Sequence, residues 1–189
     1  MSTVIGITGK IGSGKTTIAD YLVKEHGYQE YSMAGPLKEI GRIFGYSHEQ
    51  LYGTQEQKLE KHSYWNISAR EFLQKVGTEL FREHLPKVLP EMELTGTVWV
   101  DLFRLKYEQK PGLYVISDVR FLDEAKAIQD LGGIIIRTIR DNNVSSQSGQ
   151  EFVHKSELEM SQIEADYVID NNRLDKAEAQ VYVDKIVKN

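Results

Sequence analysis

The stretch Gly9-Lys10-Ile11-Gly12-Ser13-Gly14-Lys15-Thr16 constrains this chain more than any other, because of what stands on either side of it. Val4-Ile5-Gly6-Ile7 before it is a short apolar run, and from Thr16 to Glu25 the residues Ile18, Tyr21 and Leu22 recur at helical spacing. Strand, glycine loop and helix in that order meet both the fixed positions of Gly-x-x-x-x-Gly-Lys-Thr, the Walker A form, and its structural context. In such a loop the backbone N–H groups of residues 12 to 16 converge on a phosphate at the helix N-terminus, where the dipole favours an anion. Lys15 would reach the β and γ oxygens, and Thr16 would offer its hydroxyl to Mg²⁺. The expected ATP-binding residues are therefore Gly9, Lys10, Gly12, Ser13, Gly14, Lys15, Thr16 and Thr17. A dinucleotide fingerprint, Gly-x-Gly-x-x-Gly, fails from Gly12 because its third position falls on Thr17.

The rest of the chain alternates strands and helices. Tyr28 to Met33 reads as a second strand, and a helix entered at Gly35-Pro36 would carry Leu37, Ile40, Ile43 and Phe44 inward before Gly45 stops it. From Tyr46 to Ile67 the chain is polar and aromatic without clear period, and reads as a surface excursion with room for one short helix. Ser68-Ala69-Arg70-Glu71 has the form of a capping box and opens a helix over 69–84, with Phe72, Leu73, Val76, Leu80 and Phe81 as its apolar stripe. Thr97 to Gln109 reads as a helix, although Val98 to Val100 would also pass for a strand. Leu113–Ser117 and Ile134–Ile139 are buried-type strands around a helix over 122–131. Residues 141–153 form a long polar loop of the kind used as a lid. Ser156-Glu157-Leu158-Glu159 offers another capping box, followed by a strand at Tyr167–Ile169 and a helix over 174–187. This order predicts an α/β, three-layer fold with a central, mainly parallel five-stranded sheet covered by helices on both faces, and ligands beyond the carboxyl ends of the strands.

Length and composition narrow the function. At 189 residues the chain suits one domain (1–189), with 46–110 as a helical region for an acceptor and 140–155 as a lid-like loop. A net charge of −5, from 28 acidic and 23 basic residues, argues against a protein that coats a nucleic acid polymer. With no cysteine, disulfides, zinc–thiolate sites and thiol catalysis are excluded together. The N-terminus lacks the pattern of a signal peptide and no run approaches a membrane span, so the expectation is a cytoplasmic protein with no membrane partner.

Phosphate chemistry then needs a carboxylate and cations at the same sheet edge. Leu113 to Ser117 ends in Asp118, the Walker B arrangement that orients Mg²⁺, so Thr16 and Asp118 are the expected metal residues. Asp101 and Asp170 also follow apolar runs; Asp118 is preferred because its strand is the most continuous and Arg120 follows after one residue. Arg120 and Arg140 would meet the charge of a transferring phosphoryl group, Arg140 moving with the polar loop, while Arg137 is as readily a surface or salt-bridge residue. Lys15, Asp118, Arg120 and Arg140 make up the expected catalytic set. On the helix after Ser68, the residues Arg70, Gln74 and Thr78 share a polar face, and Gly77 beside them signals close approach of another group. His154 would be exposed at the end of the loop.

With the P-loop, Met33-Ala34-Gly35-Pro36-Leu37-Lys38-Glu39, Ala69 to Glu79, Ile116-Ser117-Asp118-Val119-Arg120-Phe121 and His154-Lys155-Ser156-Glu157, the chain resembles the deoxynucleoside monophosphate kinases of phages and large DNA viruses. The resemblance implies transfer of the γ-phosphoryl of ATP to the 5′-phosphate of a deoxynucleoside monophosphate, with Mg²⁺, giving the diphosphate and ADP. It implies that Lys38, Arg70, Gln74, Asp118 and Arg120 hold the acceptor, and it is compatible with a homodimer. The lid-like loop departs from the adenylate-kinase pattern in containing no arginine between 141 and 153. Base-selecting contacts would fall in the excursion over 46–67, with Tyr64 and Trp65 as candidates. The rival readings are another P-loop small-molecule kinase, resembling dephospho-coenzyme A kinase, and a nucleotide switch. The switch is disfavoured because no Asn-Lys-x-Asp occurs.

Overall fold

The computed structural model describes residues 3–94, 97–140 and 155–188, with the backbone alone for 155–157. In chain order its elements are β1 (Val4–Thr8), α1 (Lys15–His26), β2 (Gln29–Tyr31), α2 (Gly35–Ile43), α3 (His48–Tyr52), α4 (Gln55–Leu59) and α5 (Ala69–Gln74). α5 runs on through a π-wound stretch, Lys75–His84, into α6 (Leu85–Val88). Then follow α7 (Val98–Gln109), β3 (Tyr114–Ile116), α8 (Leu122–Asp130), β4 (Ile134–Ile139), α9 (Lys155–Gln162), β5 (Tyr167–Asp170) and α10 (Lys176–Lys188). The chain divides into two compact units, Met1–Ser32 with Arg104–Asn189, and Met33–Phe103.

The first unit holds the sheet, with strand order β2-β3-β1-β4-β5 and every pair parallel. Successive side chains of a strand point to opposite faces, and here both faces are covered. Ile5, Ile7, Val115, Ile136 and Ile169 pack with Ile18 and Leu22 of α1 and Val183 and Ile186 of α10. On the other face Gly6 leaves room for Ile128 of α8: a Cβ there would lie 2.7 Å from Ile128 Cδ1 and 2.7 Å from Ile135 Cδ1. Two covered faces explain why these strands are apolar throughout rather than alternating. The five strands and three layers match the fold expected from the sequence, with the sheet wholly parallel. Parallel strands put all their carboxyl ends on one edge, so the segments after β1, β3, β4 and β5 are neighbours there.

The second unit departs from expectation in detail. In α2 the buried positions are Leu37 and Gly41, whereas Ile43 is 82% exposed and Phe44 lies past the helix end. Leu37 and Gly41 are four residues apart and share a face; Ile43 falls about 100° per residue round the cylinder, on another side. The stretch over 46–67 is built rather than trailing: Ser47 with Gln50 and Thr54 with Gln57 each close a capping box, giving α3 and α4, and Tyr46 and Leu51 are buried. The stripe on the 69–84 helix also shifts, because π winding, with its i→i+5 hydrogen bonds, takes more residues per turn than an α-helix. Val76, Phe81 and Leu85 pack against Leu37, Val98 and Trp99, and Leu80 is left 54% exposed. Gly77 meets the group its sequence position signalled: a Cβ there would lie 2.5 Å from Leu37 Cδ2, and its carbonyl accepts from Trp99 Nε1 at 3.3 Å. Val98 to Val100 are helical. In the first unit α9 begins at Lys155, one residue ahead of the Ser156 expected to cap it. Residues 141–154 of the lid-like loop, His154 among them, and the side chain of Glu157 lie outside the described residues.

Candidate active site

The loop after β1 is held open by three glycines in left-handed backbone: Gly9 at φ 145°, Gly12 at 79° and Gly14 at 103°. A side chain at Gly9 would run into Thr138, and one at Gly14 would lie 2.6 Å from Asn171 Nδ2. The loop is also pinned from outside. Ser13 Oγ and Thr138 Oγ1 share a buried hydrogen bond of 2.7 Å, and Asn171 Nδ2 donates to Ser13 O at 2.6 Å. α1 begins at Lys15 with no side-chain cap, whereas Ser47, Thr54 and Ser68 cap α3, α4 and α5. Its N-terminal N–H groups are therefore left for an anionic ligand.

Lys15 spans the loop, its Nζ donating to Gly9 O at 2.7 Å and Lys10 O at 2.9 Å. Burial lowers its pKa below the ordinary lysine value, the Arg120 charge lowers it further, and Asp118 opposes both. Lys15, Arg120 and Asp118 thus feel one another at one edge, helped by the Val119 N–H donating to Ile7 O at 3.3 Å. A lysine so placed gains when a polyphosphate supplies the missing negative charge. Asp118 accepts from Ser32 Oγ at 2.6 Å, and the Tyr31 hydroxyl is pushed up to about 12 by burial and, secondarily, by Asp118. Arg120 is exposed, but its backbone is fixed: Glu124 Oε2, on a buried side chain, accepts from the N–H of Arg120 at 2.8 Å and of Phe121 at 3.1 Å. Arg140 is exposed and, with Gly14, Thr17, Asn171 and Lys176, lines a cleft of about 130 Å³. Of the other strand-end candidates, Asp101 sits in α7, and Asp170 is taken up by its own turn, accepting from the N–H of Asn172 and pairing with Arg173. Arg137 is half-buried. Its guanidinium donates to the carbonyls of Met160 and Ile163 at the end of α9.

Of the acceptor candidates, Lys38, Arg70 and Gln74 lie in the second unit and Asp118 and Arg120 in the first. Lys38 Nζ stands 4.4 Å over the Tyr52 ring, and Arg70 Nη1 donates to Gln55 Oε1 at 3.0 Å. Gln74 is half-buried one turn after Arg70, on the same face of α5. Tyr64 and Trp65 are 79% and 47% exposed on a loop organised by His62, whose Nδ1 accepts from the N–H groups of Tyr64 and Trp65. Sequence reasoning missed Thr138, Asn171, Ser32 and Glu124. Asn171 carried the signal used for Asp118, a polar residue just past a strand, and Thr138 stands out as polar within an apolar strand. Ser32 and Glu124 become visible only once partners distant in the chain are placed.

An all-parallel sheet with a glycine-held phosphate loop, a spanning lysine and an acidic strand end defines a P-loop kinase, a phosphotransferase enzyme. Its fold is also that of shikimate kinase from Aquifex aeolicus, with a TM-score of 0.53 at 12% identity over 98% of this chain and 96% of the other. No family model matches the chain. A protein of Acanthamoeba polyphaga mimivirus, named as a candidate deoxynucleotide monophosphate kinase, is 39% identical over 178 residues, 90% of this chain and 89% of that one. The chain belongs to the deoxynucleotide monophosphate kinase family. Among the described residues no helix is long and apolar enough to cross a membrane.

Proposed function

We propose that this enzyme moves the γ-phosphoryl of ATP to the 5′-phosphate of a deoxynucleoside monophosphate, giving the diphosphate and ADP. The observation that carries this reading is the family membership, which extends over nearly the whole chain, the acceptor-side unit included, and so favours a nucleotide over another small metabolite. An oxygen of the acceptor phosphate attacks the γ-phosphorus while the bond to the β–γ bridging oxygen breaks, and charge spreads over the transferring group. Lys15 and the uncapped N-terminus of α1 hold the β and γ oxygens, and Arg120 and Arg140 neutralise the charge that develops. Gly9, Lys10, Gly12, Ser13, Gly14, Thr16 and Thr17 enclose the donor phosphates. Arg70, Gln74 and Lys38 take the acceptor, with Arg120 and Asp118 orienting its phosphate.

Mg²⁺ fits the oxygens available. Among the described residues no cluster of three or more His, Asp or Glu side chains could cage a metal, while Thr16 offers a hydroxyl and Asp118 a carboxylate. One carboxylate and one hydroxyl, completed by phosphate oxygens and water, is a donor set Mg²⁺ accepts. Thr16 and Asp118 would hold the ion, directly or through water, and its chemistry is to neutralise the phosphate oxygens that Lys15 does not reach. Incubating the enzyme with ATP, Mg²⁺ and a panel of ribo- and deoxynucleoside monophosphates, scored by ADP release, tests the reading. ADP release with a deoxynucleoside monophosphate is expected; turnover of a non-nucleotide metabolite and of no nucleotide would refute it.

A further inference from the structure

Arg70 is held differently from the surface cations that pair with carboxylates. Lys24, Arg42, Lys75, Lys126 and Arg173 each pair with a carboxylate at 2.8–3.2 Å. Arg70 instead has a neutral partner, the Gln55 side-chain oxygen at 3.0 Å. The carboxylate beside it in the chain, Glu71, is taken by Lys75 at 2.9 Å. Arg70 also sits in the first turn of α5, just after the Ser68 cap, where the helix dipole disfavours a cation. Among the described residues no carboxylate is paired with it, at a position where local electrostatics would favour one.

Gln55 is correspondingly well fixed. It is the first residue of α4, directly after Thr54, whose hydroxyl accepts from Gln57 N–H at 3.3 Å while Gln57 Oε1 accepts from Thr54 N–H at 2.8 Å. That closed box sets the backbone from which the amide reaches Arg70. An amide oxygen orients a guanidinium by one hydrogen bond and leaves its remaining donors and its full charge for a phosphate. A glutamate at the same place would orient it as well but cancel the charge.

We propose that Gln55 is a positioning residue for the acceptor site, holding Arg70 in place for a phosphate dianion while leaving it unneutralised. The inference rests on the reading that Arg70 binds the acceptor. It assigns a part to the 46–67 stretch: Gln55 selects for the anionic end of the acceptor by way of Arg70.

The test measures KM for the acceptor, KM for ATP and kcat with each of dAMP, dCMP, dGMP and dTMP, in Gln55→Ala, Gln55→Glu and Arg70→Ala, with thermal melts to show that each variant is folded. Gln55→Ala should raise acceptor KM by about five- to tenfold and Gln55→Glu by more than that, with ATP KM within about twofold of the parent. Gln55→Glu should melt no lower than Gln55→Ala, so a loss of packing would not account for its larger defect. If Arg70→Ala raises acceptor KM but neither Gln55 variant does, the positioning role is wrong and the acceptor reading stands. A glutamate that restores the alanine defect would likewise overturn it, since the position would then need only an acceptor of any charge. If Arg70→Ala itself leaves acceptor KM unchanged, the acceptor reading of Arg70 fails and the role of Gln55 goes with it.

Discussion

The phosphate-loop edge of the first unit and the α2–α5 region of the second both hold cations in place, by different means. At the loop edge the scaffold is the sheet: parallel strands deliver Lys15, Asp118, Arg120 and Arg140 to one edge, and Ser13, Thr138 and Asn171 lock the loop with short polar bonds. Among the described residues of the second unit there is no sheet. Short helices with closed capping boxes set the positions, and the cations are steadied by a ring and an amide. A motif-built edge concentrates its chemistry in one lysine, whereas a helix-built region spreads its hold over several weaker contacts.

The largest expected effect lies at the loop edge. Lys15→Ala should lower kcat by at least about a thousandfold, because it removes charge stabilisation from the transferring group, while the melting temperature stays close to that of the parent. Retained turnover would take the loop out of the mechanism. Next comes Arg70→Ala, expected to raise acceptor KM by about 10- to 100-fold with ATP KM unchanged, as loss of a charged hydrogen bond implies. An equal effect on both substrates would erase the distinction between the two regions. Gly77→Ala should be felt in stability only weakly. The added Cβ meets Leu37 Cδ2, the end of a flexible side chain, so an overpacking cost of about 1–2 kcal/mol is offset by about 1 kcal/mol of helix propensity, leaving a fall in Tm of at most about 4 °C. Asn171→Ala, which unpins Ser13, should raise ATP KM by about threefold and leave acceptor KM alone.

The smallest effect concerns pH. The Asp184 carboxyl is held below the ordinary carboxylate range by the hydroxyl of Tyr21 at 2.9 Å and, after it, by the His26 ring at 2.8 Å. A depressed folded pKa supplies stability that is full above the ordinary value and is lost as pH falls through the lowered one. Asp184→Asn should therefore melt slightly below the parent at neutral pH and converge with it in acid. Curves that stay parallel down to pH 2 would contradict this.

How far the sequence was legible follows the same division. At the loop edge the signals are local: a strand, three glycines, Lys15 and a helix are contiguous, and Asp118 with Arg120 closes a single apolar strand, so the fold and the candidate donor residues could be read in order. Gly77 was legible for a related reason, since a mid-helix glycine is costly unless something approaches, and Leu37 does. The second unit was harder because its signals are short and its partners distant. Ser47-x-x-Gln50 and Thr54-x-x-Gln57 are capping boxes in plain view, but helices of five residues bury too little for hydrophobic period to show. Ile43 and Leu80 were placed inward by counting apolar residues, where the face taken by Gly41 and the π winding after Lys75 decide otherwise. Gln55 has no motif, and only the fold brings it to Arg70.

The central claim is that the γ-phosphoryl leaves ATP held on residues 9–16 and arrives on a deoxynucleoside monophosphate. Incubating the enzyme with Mg²⁺, γ-³²P-labelled ATP and each of the four deoxynucleoside monophosphates, then separating the products, follows that phosphoryl directly. Label should appear in a deoxynucleoside diphosphate with the parent enzyme and be absent with Lys15→Ala. Label released only as inorganic phosphate, or a labelled diphosphate formed equally well by the Lys15 variant, would contradict the account.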